Sequence, residues 1–402
     1  ATNALTPKYY KLELNPEKTY ANVYTSAINN TSKITIEDAI FKNITSSSPL
    51  VYNKNGIITN LTSDFISNSV VVDSKLSGGG LIGNYSFIES SIIGNITGGF
   101  ISNTVTGNYV SGGGLIGNYS FNYTNSSSTT SSIGDITGDF ISNTVTGNYV
   151  SGGGLIGNYS FNQSSIIGDI TGDFISNNVI VGRDVYGGGL IGVRYYFYSS
   201  SSIIGDITGD FISNEISITG NYVYGGGLIG NYILHSSTSS SFSSSIIGDI
   251  NSNFNNNTVK LTGTSAQIVT AGVIGNYATQ DDSKATIKSI SGTFENNSVI
   301  KESGSATVYA GVIYNSDIIT NGIINSTFTD NYVKISAGTV YSSVIYTTKD
   351  LSINADNGTT SFSGNYSQIG DGEKNYNAVY VGSNSAMLTL KATNNGVITF
   401  DN

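Results

Sequence analysis

The residues of this sequence best suited to chemistry are aspartates that return at fixed places in a repeated segment. They fall in two columns, within the string IGDITGDF or close variants of it. Carboxylate oxygens are the ligands that Ca²⁺ prefers, so a stack of such turns is a candidate calcium site. The alternative is a set of solvated turn residues, which Asn95 and Gly99 in the first copy favour. The first column is Asp135, Asp169, Asp206 and Asp249, and the second is Asp139, Asp173 and Asp210.

A second group of candidate residues lies in one irregular copy of the repeat, RDVYGGGLIGVRYYFY at 183–198. This copy contains both arginines of the chain and a run of aromatic residues. Tyrosine and arginine are enriched at binding hot spots, and aromatic faces suit sugar rings, so we expect a ligand-binding surface here. The alternative is drift of one repeat, with tyrosines that stack between neighbouring copies. The candidate binding residues are Arg183, Asp184, Arg194, Tyr195, Tyr196 and Tyr198.

Residues that could catalyse a reaction are harder to find. Polysaccharide lyases and hydrolases need clustered carboxylates in a groove, whereas the carboxylates here belong to the repeat itself. His235 is the only histidine, and it lies in the serine-rich string ILHSSTSSSFSSS without the partners of a catalytic triad. We interpret His235 as a surface residue and predict that the chain is not an enzyme.

Composition excludes several classes of protein. The chain has 402 residues, a net charge of −10 and only 11% charged residues, which argues against a nucleic-acid partner. It has no cysteine, so neither disulfides nor thiolate metal sites can form. No run of about 18 apolar residues is present, so we expect no transmembrane helix.

The sequence is dominated by an internal repeat. The decapeptide SGGGLIGNYS occurs at 77–86, 111–120 and 151–160, with looser copies further on. A Phe-x-x-Asn motif accompanies it, and nine units of about 34–43 residues cover roughly 50–380. The motif begins at Phe65, Phe100, Phe140, Phe174, Phe211, Phe254, Phe294, Phe328 and Phe362.

Each unit contains three short β-branched and aromatic segments separated by Gly, Asn, Asp or Ser, which is typical of strands. The repeat therefore predicts an all-β fold, a single-chain parallel β-solenoid with three strands per coil and nine to ten coils. Like residues then stack on like residues, as a phenylalanine column and an asparagine ladder inside a corner. The predicted ladder residues are Phe100, Phe140, Phe174, Phe211, Asn103, Asn143, Asn177 and Asn214.

The glycine-rich string has its own place in this scheme. Ile116 and its equivalents form an inward column, and Gly114 shares their parity, so a small inward residue allows a tight turn. The position after the isoleucine is Gly117 in one copy and Tyr314 or Tyr346 in later ones. Because a packed core does not tolerate that change in volume, we predict that this position faces solvent.

The organisation along the chain follows from the repeat. Residues 1–33 are predicted to be an N-terminal cap, and 34–402 a β-helix with a final incomplete coil at 386–402. Three inserts fall between the third and first strands, so they should protrude from one corner of the rod, either as a binding face or as tolerated surface loops. The inserts are 121–132, 195–202 and 233–245.

The paired motifs FISN at 100–103 and GGLIGN at 113–118 resemble the polymorphic outer membrane protein family of autotransporter passengers. The string ISNTVTGNYVSGGGLIGN is also similar to GLUG-type repeats of bacterial surface proteins. The resemblance covers roughly residues 50–402. It implies a right-handed β-helix, secreted or exposed on a bacterial cell surface and anchored to the outer membrane through a part outside this chain.

The repeat and the resemblance together favour an adhesin that binds a receptor or glycan of a host or neighbouring cell through one flank and the loop-bearing corner of the β-helix. One alternative is a structural module that self-associates into a surface filament. A second alternative is a β-helix enzyme that acts on polysaccharides. We expect no cofactor, with Ca²⁺ at Asp135, Asp169 and Asp206 as the alternative, and no nucleic acid as a partner.

Overall fold

The chain folds into a parallel β-solenoid in which three sheets run along the length of a rod. A computed structural model describes residues 10–12, 28–31, 33–87, 89–121, 130–161, 163–196, 201–234, 243–279 and 283–401. Within these ranges the strands pair in parallel with the equivalent strands of neighbouring coils, as Phe100–Ile101 does with Phe140–Ile141. This confirms the predicted all-β solenoid with three sheets, while its right-handed sense stays a prediction.

The first sheet carries the Ser-Ile-Ile-Gly-Asp segments and the phenylalanines. Bends at glycine divide many of its coils into two or three short strands, so it contains 24 strands among the described residues. They are Tyr10–Leu12, Lys33–Lys42, Ile57–Ile66, Ser91–Ile93, Ile96–Thr97, Phe100–Ile101, Thr130–Ile133, Ile136–Thr137, Phe140–Ile141, Ser164–Ile167, Ile170–Thr171, Phe174–Ile175, Ser201–Ile204, Ile207–Ile212, Ser243–Asn255, Ser283–Ser291, Thr293–Glu295, Ile318–Ile319, Ile323–Ile324, Thr327–Thr329, Leu351–Asp356, Thr359–Ser363, Leu388–Thr393 and Val397–Asp401.

The second sheet begins after the Phe-x-x-Asn corner and ends at the glycine run. Its 12 described strands are Thr45–Ser46, Ser69–Ser77, Thr104–Ser111, Thr144–Gly152, Asn178–Gly188, Glu215–Ile218, Tyr222–Gly226, Thr258–Leu261, Gln267–Ala271, Ser298–Ala310, Tyr332–Ser342 and Tyr366–Ile369.

The third sheet begins directly after the glycine run, so the glycines lie in the turn between two sheets. Its 11 described strands are Ile28–Asn30, Val51–Lys54, Ile82–Ser86, Ile116–Phe121, Ile156–Phe161, Ile191–Tyr196, Ile229–Leu234, Ile274–Ala278, Ile313–Asn315, Ile345–Thr347 and Val379–Val381.

The core is organised around a column of stacked phenylalanines. Successive ring centroids lie 4.6–5.3 Å apart, and most ring planes are within 10° of parallel. Each buried ring contributes roughly 1.5–3 kcal/mol, so the column is a large part of the stability. It contains the four phenylalanines of the predicted ladder and all nine Phe-x-x-Asn phenylalanines, and it has one further ring at each end, Phe41 and Phe400. The column is Phe41, Phe65, Phe100, Phe140, Phe174, Phe211, Phe254, Phe294, Phe328, Phe362 and Phe400.

The predicted asparagine ladder follows the phenylalanines, around a corner made by a left-handed residue such as Ser142, with φ of 54°. The backbone N–H and Nδ2 of Asn103 both donate to Oδ1 of Asn143 at 3.0 Å. Nδ2 of Asn103 also donates to the Phe65 carbonyl at 2.8 Å. Buried amides need such partners, and the repeat supplies them from the coils on either side. The ladder is Asn68, Asn103, Asn143, Asn177, Asn214, Asn257, Asn297, Asn331 and Asn365.

A second buried ladder was not predicted. Nδ2 of Asn84 donates to Oδ1 of Asn118 at 2.9 Å, and Oγ of Ser91 donates to Oδ1 of Asn84 at 2.7 Å. Each asparagine of this kind follows the Leu-Ile-Gly string, so the signal was visible in the repeated decapeptide. The Asn–Ser pairs bridge the third sheet to the start of the first sheet. They are Asn84–Ser91, Asn118–Ser131, Asn158–Ser165 and Asn231–Ser245.

The glycine turn requires glycine for two separate reasons. Gly113 has a φ of +136°, and a Cβ there would lie 2.0 Å from the carbonyl oxygen of Ile116. A Cβ on Gly114 would lie 2.6 Å from a methyl group of Val145, so this position faces the core as predicted. A side chain at either place would force the two sheets apart.

The prediction that the position after the isoleucine faces solvent is wrong. A Cβ on Gly117 would come within 1.9 Å of the carbonyl oxygen of Gly78, because the glycine turn of the preceding coil covers it. Tyr314 and Tyr346 occupy the same position in later coils, and each is only 7% exposed. They pack in a second cluster with Ala271 and other residues outside the phenylalanine core.

The two ends of the rod continue the same sheets. In the described part of the predicted cap, Tyr10–Leu12 adds a strand to the first sheet and Ile28–Asn30 adds one to the third. At the other end, Leu388–Thr393 and Val397–Asp401 form a further rung of the first sheet, where Phe400 is 47% exposed.

Candidate functional site

The outer faces of the second and third sheets meet at the glycine turn, and tyrosines from both faces come together there. Tyr224, at the end of a second-sheet strand, lies 5.9 Å from Tyr232 and 5.6 Å from Tyr277 on the third sheet. We call this surface the aromatic corner. Its residues are Tyr85, Tyr119, Tyr159, Tyr186, Arg194, Tyr224, Tyr232, Tyr277, Tyr309, Tyr314, Tyr341, Tyr346 and Tyr380.

One column of the corner follows the third sheet. Strand register places Tyr85, Tyr119, Tyr159, Arg194 and Tyr232 on successive coils. The rings of Tyr119 and Tyr159 are 4.8 Å apart and 4° from parallel. Tyr119 and Tyr232 are only 2% and 3% exposed, whereas Tyr85, Tyr159 and Arg194 are half-buried, so only part of the column reaches the surface.

Later coils close the corner from the other side. Tyr309 at the end of a second-sheet strand meets the ring of Tyr346 edge-on, at 5.2 Å and 73°. Tyr314, Tyr346 and Tyr380 continue the stack at 5.5 Å intervals. Edge-to-face and offset stacked pairs are the favoured geometries of aromatic rings, so the corner is a rigid surface.

Burial raises the pKa of several hydroxyl groups of the corner. It raises the pKa of Tyr224 to about 12, with the neighbouring Tyr277 as the next contribution. Burial also raises the pKa values of Tyr232 and Tyr186. Tyrosine is neutral at physiological pH even at its ordinary pKa of about 10, so these hydroxyls can both donate and accept hydrogen bonds.

Three cations line the first half of the corner. Lys54 pairs in register with Tyr85, and its Nζ lies 5.9 Å from that ring centroid. Nζ of Lys75 donates to the Tyr119 hydroxyl at 3.0 Å. The Arg194 guanidinium lies 4.2 Å from the centroid of Tyr186, a distance typical of a cation–π contact.

The structure places the predicted binding residues in different environments. Arg194 belongs to the corner, and exposed Arg183 lies nearby, with its guanidinium 5.1 Å from the Tyr149 ring centroid. Asp184 is only 8% exposed, and its carboxylate accepts hydrogen bonds from the Tyr186 hydroxyl and the Tyr222 amide.

Tyr195 is a correction to the predicted surface, because its side chain is fully buried. Ile191, Val193 and Tyr195 alternate along one strand and all point inward, so Tyr195 packs with Ile233 and Ala285. It is therefore not available to a ligand. The side chain of Tyr196, and all of Tyr198, lie outside the described residues.

The aspartate columns hold neighbouring coils together. Oδ1 of Asp135 accepts the backbone N–H of Asp169 at 3.0 Å, and Oδ1 of Asp169 accepts that of Asp206 at 2.8 Å. The second column repeats this, with Asp139 accepting the N–H of Asp173 at 3.0 Å. Within the described ranges, no group of three or more His, Cys, Asp or Glu side chains is placed to hold a metal ion. Calcium binding by these columns stays a prediction.

The corner that carries the predicted inserts lies between the third and first sheets. In later coils it holds a cavity of about 700 Å³, whose lining includes Lys284, Asp317 and Lys349. Residues 122–129, 197–200 and 235–242 of the inserts, which include His235, lie outside the described residues. The strands that flank the inserts do stack, as Phe121 does on Phe161 at 4.8 Å.

No protein-family model, curated protein or solved structure matches this chain. Among the residues that the structure describes, no helix is long and apolar enough to cross a membrane.

Proposed function

We propose that this chain is the binding rod of a bacterial surface adhesin and that the aromatic corner is its glycan-binding surface. The observation that carries the proposal is the line of tyrosine rings from Tyr85 to Tyr380, which Arg194 interrupts once and which shifts by two strand positions between Tyr277 and Tyr314. The surface location rests on the resemblance of the repeats to autotransporter passengers. No reaction is part of the proposal.

The chemistry of the corner suits a sugar chain. Because the rings stack on one another, each tyrosine presents its ring edge and its hydroxyl, which suit the C–H groups and the oxygen atoms of a sugar. The neutral hydroxyl of Tyr224, half-buried beside Tyr232, is of this kind. Such rings lose little conformational entropy on binding, because they are already stacked.

The repeat gives the surface a length that matches a polymer. Rungs recur about every 4.8 Å along the rod, which is similar to the length of one unit of a polysaccharide. Several weak contacts made at once raise the overall affinity well above that of any single contact. A long polysaccharide is therefore expected to bind much more tightly than its monosaccharide.

Binding of the purified chain to immobilised bacterial and host polysaccharides tests the proposal. Tyr224→Ser should weaken binding about tenfold, the loss expected for a hot-spot tyrosine. Tyr332→Ser is the matched control, because Tyr332 begins its second-sheet strand, at the end away from the glycine turn, and stacks there on Tyr366. Equal binding by the wild type and both variants would refute the aromatic corner.

A deletion distinguishes the aromatic corner from the corner that carries the inserts as the binding site. Removal of residues 235–242 shortens the third predicted insert and leaves every residue of the aromatic corner in place. Binding should then be unchanged. Loss of binding in this deletion, with Tyr224→Ser unaffected, would move the site to the loop-bearing corner.

A further inference from the structure

Two cations from different coils reach toward one another along the aromatic corner. Lys75 reaches forward by one coil, and its Nζ lies 5.0 Å from the centroid of Tyr119 as well as bonding its hydroxyl. Arg194 reaches back by one coil, where it donates to Ser151 Oγ and lies 5.8 Å from the centroid of Tyr159. The two positive groups therefore flank the stacked Tyr119–Tyr159 pair.

Bringing like charges together is unfavourable unless an anion joins them. Burial lowers the pKa of Lys75, and the positive charge of Arg194 lowers it further. Among the described residues, Nζ of Lys75 contacts the hydroxyl and ring of Tyr119, and Nζ of Lys54 lies over the Tyr85 ring. Neither amine contacts a carboxylate of these residues. This concentration of positive charge stands out in a chain with a net charge of −10.

A cavity of about 330 Å³ adjoins Lys54 and Lys75, on the side of Lys75 away from Arg194 in chain order of the coils. Its lining includes Tyr52, Lys54, Lys75, Ser77 and Tyr85, and none of the described residues that line it is acidic. Burial raises the pKa of Tyr52, so its hydroxyl stays neutral beside the amines. The cavity can admit a group the size of a monosaccharide.

We propose that Lys75 and Arg194, with the cavity at Lys54 beside them, form a subsite for an anionic group on a glycan, either a carboxylate or a sulfate. The inference rests on the proposed function and names its ligand class, an acidic polysaccharide. An anion over the Tyr119–Tyr159 pair accepts charge-assisted hydrogen bonds from Lys75 and Arg194. The Asp184 carboxylate, which accepts hydrogen bonds from the Tyr186 hydroxyl and the Tyr222 amide, offsets part of the positive charge of Arg194, and the two cations outnumber it.

Three immobilised polymers with one backbone provide the test: dextran, carboxymethyl dextran and dextran sulfate. The wild-type chain should bind at least one anionic polymer about tenfold or more tightly than dextran, and added salt should weaken that preference. The carboxymethyl and sulfate arms identify which anion the subsite takes.

Lys75→Met and Arg194→Met should each remove about tenfold of the binding to the preferred anionic polymer. Lys334→Met, which removes an exposed amine from the far part of the second sheet, should retain it. Circular dichroism and the unfolding midpoint establish that each variant is folded.

The outcomes separate this inference from the proposed function. Binding to a neutral polysaccharide of the earlier panel, without preference for either anionic polymer, overturns the subsite and leaves the proposed function standing. An anionic preference that survives in both variants also overturns it. Wild-type binding to no polysaccharide at all overturns both.

Discussion

Val193 and Ser202 occupy the positions that the preceding coil fills with a hydrogen-bonded asparagine–serine pair. Val193 lies in register with Asn158, and Ser202 lies in register with Ser165, whose hydroxyl donates to Asn158 Oδ1. Since valine offers no acceptor, the buried Ser202 Oγ has no hydrogen-bond partner among the described residues. The replacement of asparagine by valine in one repeat therefore interrupts the Asn–Ser ladder and leaves a polar atom unsatisfied.

Val193→Asn should stabilise the rod. The introduced amide can accept from Ser202 and rejoin the amides of Asn158 and Asn231, while the side-chain volume barely changes. A gain of about 1 kcal/mol is expected for a completed buried hydrogen bond. Chemical unfolding followed by circular dichroism measures it, with Val193→Ala as a control that should destabilise. A lower midpoint for Val193→Asn than for the wild type would contradict the ladder.

The asparagine ladder of the Phe-x-x-Asn motifs should be far more sensitive to substitution than a surface asparagine. Asn143→Ala removes the acceptor that Asn103 uses twice and the donor to the Phe100 carbonyl. The cost should be about 3 kcal/mol or more, because buried polar groups are left without partners. Asn148→Ala, at an exposed site in the strand that directly follows Asn143, should cost about 0.5 kcal/mol or less. Similar losses in the two variants would show that the ladder is not the source of stability.

Lys301 replaces an aliphatic residue in an inward column between Leu261 and Ile335, and it is 1% exposed. Burial lowers its pKa below that of the unfolded chain, although Nζ donates to the Gly263 carbonyl at 2.7 Å. Between the lowered pKa and the ordinary value of about 10.4, the unfolded chain binds more protons, so the wild type gains stability as pH rises.

Lys301→Met removes this titration. Its stability relative to the wild type should therefore fall as pH rises toward about 10. Unfolding midpoints at several pH values measure the trend, and Lys334→Met supplies the baseline for loss of an exposed amine. A difference between Lys301→Met and the wild type that is constant with pH would contradict the burial of a charged amine.

The aromatic corner predicts a loss of stability at alkaline pH. The pKa of Tyr224 is raised to about 12, above the unfolded value of about 10, so its contribution is complete below pH 10 and is lost as pH rises toward 12. Tyr224→Phe should lose less stability than the wild type across this window. The measurement combines tyrosinate absorbance with the unfolding midpoint, and Tyr332→Phe is the control. Identical curves for the wild type and Tyr224→Phe would contradict the raised pKa.

The solenoid could be predicted from the sequence because its contacts are translational. Each coil places Phe140 over Phe100 and Asn143 over Asn103, so the period of the sequence is the period of the structure. The ring at Phe41 was missed because Ile44 replaces the asparagine of its motif. The Asn–Ser ladder was missed although its asparagine recurs in every strict copy of the decapeptide.

The aromatic corner could not be predicted, because it depends on the angle between two sheets. Tyr186 and Tyr232 are far apart in the sequence, and only the glycine turn brings their rings to 5.6 Å. Burial of Tyr195, by contrast, followed from its parity with Ile191. Lys301 is not part of a repeated lysine motif, because the equivalent residues in the neighbouring coils are aliphatic.

The stacking of repeats in register is the claim on which the ladders and the aromatic corner depend, and a disulfide cross-link tests it directly. Thr106 and Thr146 face each other on adjacent parallel strands, and the chain has no cysteine of its own. Adjacent strands lie about 4.8 Å apart, within the Cα separation that a disulfide spans. After mild oxidation, Thr106→Cys with Thr146→Cys should form an intramolecular disulfide seen by mass spectrometry, whereas Thr106→Cys with Asn148→Cys should keep free thiols. Free thiols in the first pair, or a disulfide only in the second, would contradict the register.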